Sequence, residues 1–342
     1  MEAPPPASPP ANPAALRQMI FGFWAARALY VAAELGVADL LASGPRHSDE
    51  IAAACGADAS AMYRVLRALA SIGVVSEQES QRFRLTPLGE YLRTDTPGSL
   101  RAFARLMGSD WHWRTFEGIL SSVRTGKPAM EGMMGLPLYD FLAKNPEQEQ
   151  IFDRAMTGFS SVEHDAIRQA WDFGTTGTVV DVGGGRGHLL AVLLGAHPEM
   201  RGILFDRPTV VDPTRDAIRD KGLDDRCERV GGDFFESVPS GADAYLVKYI
   251  LHNWNDERAG AILRSCRRAM KPSARLLIVE QIVQPGNAPD PVRLMDLEML
   301  VLVGGRERTE EEFRAMLAAS GFSLTRVVPT RLPLSILEAV PV

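Results

Sequence analysis

Cysteine is scarce in this chain. Cys55, Cys227 and Cys266 are three in 342 residues, odd in number and without a C-x-x-C pair. That pattern excludes a disulfide framework and a cysteine-built zinc site, and it fits a reducing cytoplasm. Positive charge is also short: 37 Lys and Arg stand against 43 Asp and Glu, a net charge of −6. No global basic field exists to gather nucleic acid or an anionic membrane surface. No apolar run approaches the ~18 residues of a membrane span. The N-terminus lacks a basic stretch followed by an apolar one, so no secretory signal is expected and the protein is placed in the cytoplasm. No metal-ligand cluster and no internal repeat are visible. What remains is an ordinary globular composition, 46% hydrophobic, in a chain long enough for two domains.

Residues 1–13, MEAPPPASPPANP, hold six prolines and almost nothing to bury, and read as a disordered tail. From Leu16 to Leu41 the pattern is helical and apolar around most of its surface, including Met19, Ile20, Phe23, Trp24, Leu29 and Tyr30. Such a helix is buried on several sides, against another subunit or within the chain's own core. Residues 48–95 read as a small winged helix. SDEIAAACG and DASAMYRVLRALASIG are its helices, with Asp58 as an N-cap, and VVSEQESQRFRLT alternates as a hairpin. Segment 46–95 carries six Arg and seven acids. That lacks the clustered positive charge DNA phosphates require, so a docking or dimerisation module is favoured over a DNA-binding one. Residues 97–175 are mostly helical and rich in Met, Trp and Phe, which suits either plain core or an adaptable apolar pocket.

From Thr176 onward, short apolar runs (TVVDV, GILFD, CERVGGD, AYLVKYIL, RLLIVE) alternate with helical stretches. This is the pattern of a doubly wound parallel sheet. The first strand ends in D-x-G-x-G-x-G: Asp181, Gly183, Gly185, Gly187. The spacing departs from the dinucleotide fingerprint, since position 188 is His, and fits a loop against which a nucleoside lies. Asp206 ends the second strand, 19 residues beyond Gly187, where a carboxylate can accept bonds from ribose hydroxyls. GGDFF brings Asp233 and Phe234 to the third strand end, able to meet the amine and ring of adenine. The fourth strand delivers Lys248, which needs a partner if buried, and then His252 in the loop before a helix capped by Asn255 or Asp256. The fifth ends in Glu280. In GGRERTEEEF, Thr309 and Glu312 form a capping box and leave Glu307 free.

In combination VVDVGGGRG, ILFDRP, GGDFFESVP, KYILHNW, LLIVEQ and LVGGRERTEEEF are specific. From about Leu16 to its end, the chain resembles the S-adenosylmethionine-dependent O-methyltransferases that act on plant caffeic acid and flavonoids, and their bacterial relatives in aromatic antibiotic biosynthesis. The resemblance implies an α/β fold with a C-terminal Rossmann-like methyltransferase domain (176–342). It also implies a mostly helical, winged-helix-like N-terminal dimerisation domain (14–96), a helical linker and pocket region (97–175), and a homodimer through the N-terminal helices. Gly183 and Gly185 would touch S-adenosylmethionine. Asp206, with Arg207 beside it, would bind the ribose, Asp233 and Phe234 would frame adenine, and Lys248 would lie against the cofactor. Phe152 and Met156 match the cofactor and substrate wall, and Ser160 a hydroxyl that reaches the cofactor carboxylate. His252 matches the general base, with Glu280 and Glu307 the acids that orient it. No metal is required.

Trp111, His112, Met156, Asn253, Trp254, Met295, Met299 and Val303 are expected around a flat aromatic acceptor, although Trp111 and Trp113 suit ordinary core equally well. Many relatives have Asp where this chain has Asn253, which removes a negative charge beside the base. The stretch between the two acids is compact. A same-scaffold enzyme that binds S-adenosylmethionine but hydroxylates, decarboxylates or rearranges is the alternative. A winged-helix DNA-binding regulator and a nicotinamide dehydrogenase fit less well.

Overall fold

The computed structural model describes residues 12–214, 218–219 and 221–342. The proline-rich tail, up to residue 11, lies outside the described residues. The chain forms two compact units, Met1–Trp113 with Gln150–Gly158, and Arg114–Glu149 with Phe159–Val342. The stretch 97–175, read above as one linker region, is divided between them. Among the described residues no helix is long and apolar enough to cross a membrane.

The first unit opens with helices Pro13–Ile20 and Gly22–Glu34. The first begins inside the stretch read as tail, because Asn12 accepts the Ala14 amide and Pro13 suits a first helical turn. Leu16, Met19, Ile20, Phe21, Phe23 and Trp24 are exposed, Met19 by 76% and Trp24 by 56%. Among the described residues the core does not cover this face, and exposed apolar side chains grouped in this way mark an interaction surface. The same unit's core gathers Ile51, Met62, Leu66, Leu69 and Phe83. It is built by helices Ser48–Cys55 and Ala59–Ser71 and a three-stranded sheet of β1 (Arg46–His47), β2 (Val75–Glu77) and β3 (Arg82–Leu85), ordered β1-β3-β2. Asp58 caps the second helix through the Ala61 amide at 2.8 Å, as its sequence position indicates. The winged-helix reading of 48–95 therefore matches the local structure.

The second unit is built on a seven-stranded sheet. Its strands are β4 (Thr178–Val182), β5 (Arg201–Asp206), β6 (Cys227–Gly231), β7 (Ala244–Lys248), β8 (Arg275–Glu280), β9 (Phe322–Pro329) and β10 (Ser335–Pro341). Their order is β6-β5-β4-β7-β8-β10-β9. The first five are parallel. β10 pairs antiparallel with both β8 and β9, a closing hairpin that the five-strand reading of the sequence did not include. Side-chain alternation splits the core into two faces. Val180, Val182, Tyr245, Val247 and Ile278 pack on one side with helix Asp256–Ala269. Val179, Leu246, Leu277 and Val279 pack on the other with helix His188–Ala196. With helices on both faces, these strands are apolar along their length rather than alternating. The chain runs outward from β4 through β5 to β6, then returns to β7 on the other side. The crevice at the carboxyl ends of β4 and β7 is thus the switch point where such sheets bind ligands.

Candidate active site

The glycine loop leaves β4 with Gly183, Gly185 and Gly187 at φ of 70°, 58° and 72°, values that only glycine adopts readily. Gly183 and Gly184 both donate to the Phe205 carbonyl. A β-carbon on Gly184 would fall 2.6 Å from the Asp181 carboxylate, whereas one on Gly185 would meet nothing within 4 Å. The loop therefore packs tightly underneath and is open above Gly185. Asp206 closes one side: its Oδ2 accepts from the Gly185 amide at 2.9 Å and its Oδ1 from the Arg207 amide at 2.7 Å. The Arg207 guanidinium lies over the ring of Tyr139, 5.5 Å from its centroid. Asp181, buried in β4 beneath the loop, has a carboxyl pushed up to about 7 by burial against the opposing pull of Lys248. Neither Tyr139 nor Asp181 was assigned a role by sequence.

Asp233 is exposed and its Oδ1 accepts from the Phe235 amide at 2.8 Å. Phe234 and Phe235 pack edge to face at 4.9 Å, Trp254 lies 4.9 Å from Phe235, and Arg258 covers both Phe235 and Trp254. Trp254 is thus tied into an aromatic group at the end of β6. Lys248 finds the partner its apolar strand requires: its Nζ is 2.8 Å from Glu163 Oε2 and donates to Ser160 Oγ at 3.2 Å. Both partners lie on helix Pro146–Ala170. An open glycine cradle, a carboxylate on the second strand, an aspartate–phenylalanine pair on the third and a hydroxyl–ammonium pair opposite have the donor set of a nucleoside joined to an amino acid. These residues fit S-adenosylmethionine.

His252 sits in the 3₁₀ turn Leu251–Asn253, buried with 8% exposure. Its Nδ1 is 2.8 Å from Glu307 Oε1. Glu280, fully buried, uses Oε1 differently from the expected ring contact: it accepts the backbone amides of Leu251 at 2.7 Å and His252 at 3.2 Å. Glu307 therefore orients the imidazole, and Glu280 fixes the backbone that carries it. Glu307 is itself placed by its amide, which donates to Asp296 Oδ1 at 2.7 Å. Burial pulls the His252 pKa down, but the Glu307 hydrogen bond and the charges of Glu280 and Glu307 outweigh it, and the net shift is upward. Burial raises the Glu280 carboxyl, opposed by His252 and Arg308. The three side chains bring one ligand atom each within 4.8 Å of one another. The resemblance grouped these three residues although they lie 28 and 27 residues apart along the chain; spacing alone does not bring them together.

Arg308, fully buried, clamps the turn from below. It donates to the Leu251 carbonyl at 3.0 Å, the Trp254 carbonyl at 2.8 Å and Asp256 at 2.9 Å. The Gly304–Gly305 turn returns the chain so that the Arg306 amide donates to the His252 carbonyl at 2.9 Å; a β-carbon on Gly305 would collide with that carbonyl. Asn253 turns its amide to the Tyr249 carbonyl at 2.9 Å. Met295, Met299 and Val303 lie along and just after helix Val292–Leu302, with Met299 buried and the other two half-buried. Of the remaining expected residues, Trp111 and His112 are buried, while Phe152 and Met156 are half-buried. All four belong to the first unit.

Two family models match the chain: an O-methyltransferase domain over residues 116–323 and an O-methyltransferase dimerisation domain over residues 17–95. A phenazine O-methyltransferase from Lysobacter antibioticus is 45% identical over 96% of each chain. A solved methyltransferase of calicheamicin biosynthesis with S-adenosylhomocysteine bound is 40% identical, covering 96% of this chain and 98% of its own, with a TM-score of 0.86. An O-methyltransferase of neocarzinostatin biosynthesis, solved with S-adenosylmethionine and 2-hydroxy-5-methyl naphthoic acid, is 34% identical over 93% of this chain and 96% of its own, with a TM-score of 0.80. An aclacinomycin 10-hydroxylase from Streptomyces purpurascens is also related, 35% identical over 87% of this chain and 81% of its own. With its α/β methyltransferase sheet and helical dimerisation domain, the chain belongs to the S-adenosylmethionine-dependent O-methyltransferase family whose bacterial members act on aromatic natural products.

Proposed function

We propose that this chain methylates a phenolic hydroxyl on a flat aromatic acceptor, with His252 as the general base. The observation that carries the reading is the buried imidazole whose Nδ1 is 2.8 Å from Glu307. A phenol has a pKa of ~10 and is almost un-ionised at neutral pH. With Nδ1–H committed to Glu307, Nε2 is the nitrogen that takes the phenolic proton. The Glu307 hydrogen bond and the charges of Glu280 and Glu307 outweigh burial and favour the imidazolium that results. The bound cofactor supplies a methyl group made electrophilic by its sulfonium sulfur. Gly183 and Gly185 accommodate its amino-acid end, Ser160 and Lys248 meet the carboxylate, Asp206 with Arg207 holds the ribose, and Asp233 with Phe234 frames adenine. Asn253, Trp254, Met295, Met299 and Val303 are assigned to the acceptor. Holding the two reactants in line provides much of the rate.

The exposed apolar face of the first two helices supports a homodimer through that face, and the free thiols of Cys55, Cys227 and Cys266 support a cytoplasmic location. The hydroxylase relative favours a second reading, oxidation without methyl transfer; a histidine with an orienting acid, placed to remove a phenolic proton, supports methylation.

The test incubates the protein with S-adenosylmethionine and either 2-hydroxy-5-methyl naphthoic acid or a hydroxyphenazine, following S-adenosylhomocysteine. His252→Ala is expected to lower its formation by about 10²–10⁴-fold while S-adenosylhomocysteine affinity stays unchanged. Full activity in that variant at neutral pH removes His252 from the mechanism, and an oxidised product without S-adenosylhomocysteine establishes the second reading.

A further inference from the structure

Tyr249 has no role in the reading above, yet several features single it out. It follows β7 with φ of +52°, a left-handed backbone that disfavours any residue with a β-carbon. Its ring is stacked with the His252 imidazole, centroids 5.2 Å apart and planes 28° from parallel. Its hydroxyl donates to Glu163 Oε1 at 2.8 Å and accepts from Gln281 Nε2 at 3.2 Å. The Lys248 ammonium lies 4.2 Å from its ring centroid. Burial and the charge of Glu163 push the phenol pKa up, so the hydroxyl remains a donor. The twisted backbone is held as well: the Tyr249 amide donates to the Val279 carbonyl, and the Tyr249 carbonyl accepts from Asn253 Nδ2. An aspartate side chain at 253 would have no N–H to offer there.

We propose that Tyr249 is a positioning residue for His252: its ring fixes the plane of the imidazole, while Glu163, Gln281 and Asn253 fix the ring. The proposal rests on His252 being the base. A histidine held only at Nδ1 can still pivot about its bond to Glu307 and carry Nε2 away from the phenolic proton. A flat wall against the ring removes that motion, and a displacement of about 1 Å at a reacting group can cost about a hundredfold in rate. Glu163 and Lys248 hold the far end of the wall, so Lys248, assigned above to the cofactor carboxylate, also braces the neighbour of the base. Strain at a non-glycine residue beside a reacting group is where such positioning is found.

Two variants separate positioning from plain packing. Tyr249→Phe keeps the ring and removes the hydroxyl; Tyr249→Leu removes the wall. The imidazole C–H resonances are recorded by NMR in histidine-labelled protein, with His252 identified by its loss in His252→Gln. S-Adenosylhomocysteine affinity and single-turnover methyl transfer to 2-hydroxy-5-methyl naphthoic acid are measured alongside. In Tyr249→Leu the His252 resonance should move downfield as the ring current disappears. The single-turnover rate should fall by about a hundredfold, with affinity held within about twofold. Tyr249→Phe should fall between the two, lowering kcat without raising KM. An unmoved His252 resonance in Tyr249→Leu overturns the proposal, as does a rate loss matched by an equal loss of affinity. If Tyr249→Leu does not fold, Tyr249→Phe decides alone: unchanged rate and resonance overturn it. Wild-type turnover by His252→Gln defeats the base assignment instead, and the resonance shift still shows whether Tyr249 holds the ring.

Discussion

Replacing Gly185 by alanine separates what the glycine loop costs from what it makes room for. Gly185 has φ of +58°, and a β-carbon there meets no heavy atom within 4 Å. Without ligand the change therefore carries only the left-handed backbone penalty, about 1–2 kcal/mol. For a unit of this size each kcal/mol moves Tm by about 2–4 °C, so the midpoint should fall by about 2–8 °C. Gly241 is the control. It has φ of +88° and the same open space, but it precedes β7, at the opposite end of the strand from Lys248. The two variants diverge when ligand is added. S-Adenosylhomocysteine at about a hundred times its Kd stabilises the native state by about 2.7 kcal/mol. If the cofactor's backbone-like end lies against Gly185, an added methyl weakens binding by about tenfold or more, and at the same concentration the increment falls to about 1.4 kcal/mol. Thermal unfolding followed by circular dichroism, with and without ligand, measures both quantities. Gly241→Ala should keep the full increment and Gly185→Ala about half of it. A Gly185→Ala variant with the wild-type increment would refute the reasoning, because the open space would then not be where the cofactor lies.

Glu307→Gln tests the electrostatics of the base. With His252 as the proposed base, methyl transfer needs its neutral form, and its pKa is raised above 6.5, so the wild-type rate should fall as pH drops through a value above 6.5. Removing the Glu307 charge leaves burial dominant, so the acid limb of the kcat–pH profile should move to lower pH; a limb that stays or moves upward contradicts the assignment. The same raised pKa stabilises the fold. That contribution is complete below the unfolded value near 6.5 and is lost as pH rises through the folded one, so the Tm advantage of wild type over Glu307→Gln should narrow with rising pH. Arg308→Met removes two charge-assisted bonds to the Leu251 and Trp254 carbonyls, each worth roughly 1.5–3 kcal/mol; chemical denaturation should show a loss of about 3 kcal/mol or more. Stability within about 0.5 kcal/mol of wild type, the range of an ordinary surface change, would mean that the clamp is not one.

Local signals were legible in the chain wherever a residue acts on near neighbours. Asp58, Asn255 and the Thr309–Glu312 box cap the helices they precede, because capping is fixed by spacing of two or three residues. The glycine loop, Asp206, Asp233 and His252 were legible for a related reason: parallel strands deliver their C-terminal residues to one edge, so position in the pattern gives position in space. Pairings across the fold were not. Lys248 required a partner, but nothing along the chain points 85 residues back to Glu163. Glu280 and Glu307 both stood out as acids, yet their division of labour depends on which one faces backbone amides and which one faces the ring. Arg308 lay hidden inside a charged helix-start motif that also holds the exposed Glu310 and Glu311. The β9–β10 hairpin was missed because FSLTRVVP and SILEAVP carry charges mid-strand. Glu338 explains one of them: it is buried on β10, where it accepts from the Trp171 indole at 2.6 Å and pairs with Arg326.

The charges around His252 explain why the turn needs two acids and a buried arginine rather than one orienting carboxylate. Glu280, Glu307 and Arg308 are all buried, and an unbalanced charge in such surroundings is costly. With the imidazole neutral, the buried groups alone, two carboxylates and a guanidinium that also pairs with the exposed Asp256 at 2.9 Å, carry a net negative charge. In the proposed reaction Nε2 takes the phenolic proton, and the imidazolium offsets that charge. Under that proposal the buried groups are nearer to charge balance after the proton moves than before. Stabilisation that is greater after the proton moves accelerates the step, whereas equal stabilisation of both states would not. A single acid would balance the imidazolium less completely once Arg308 is present, and without Arg308 the backbone of the turn would lose its clamp. The orienting bond, the amide anchor and the guanidinium thus form one device, which under the proposed mechanism favours the imidazolium over the neutral ring.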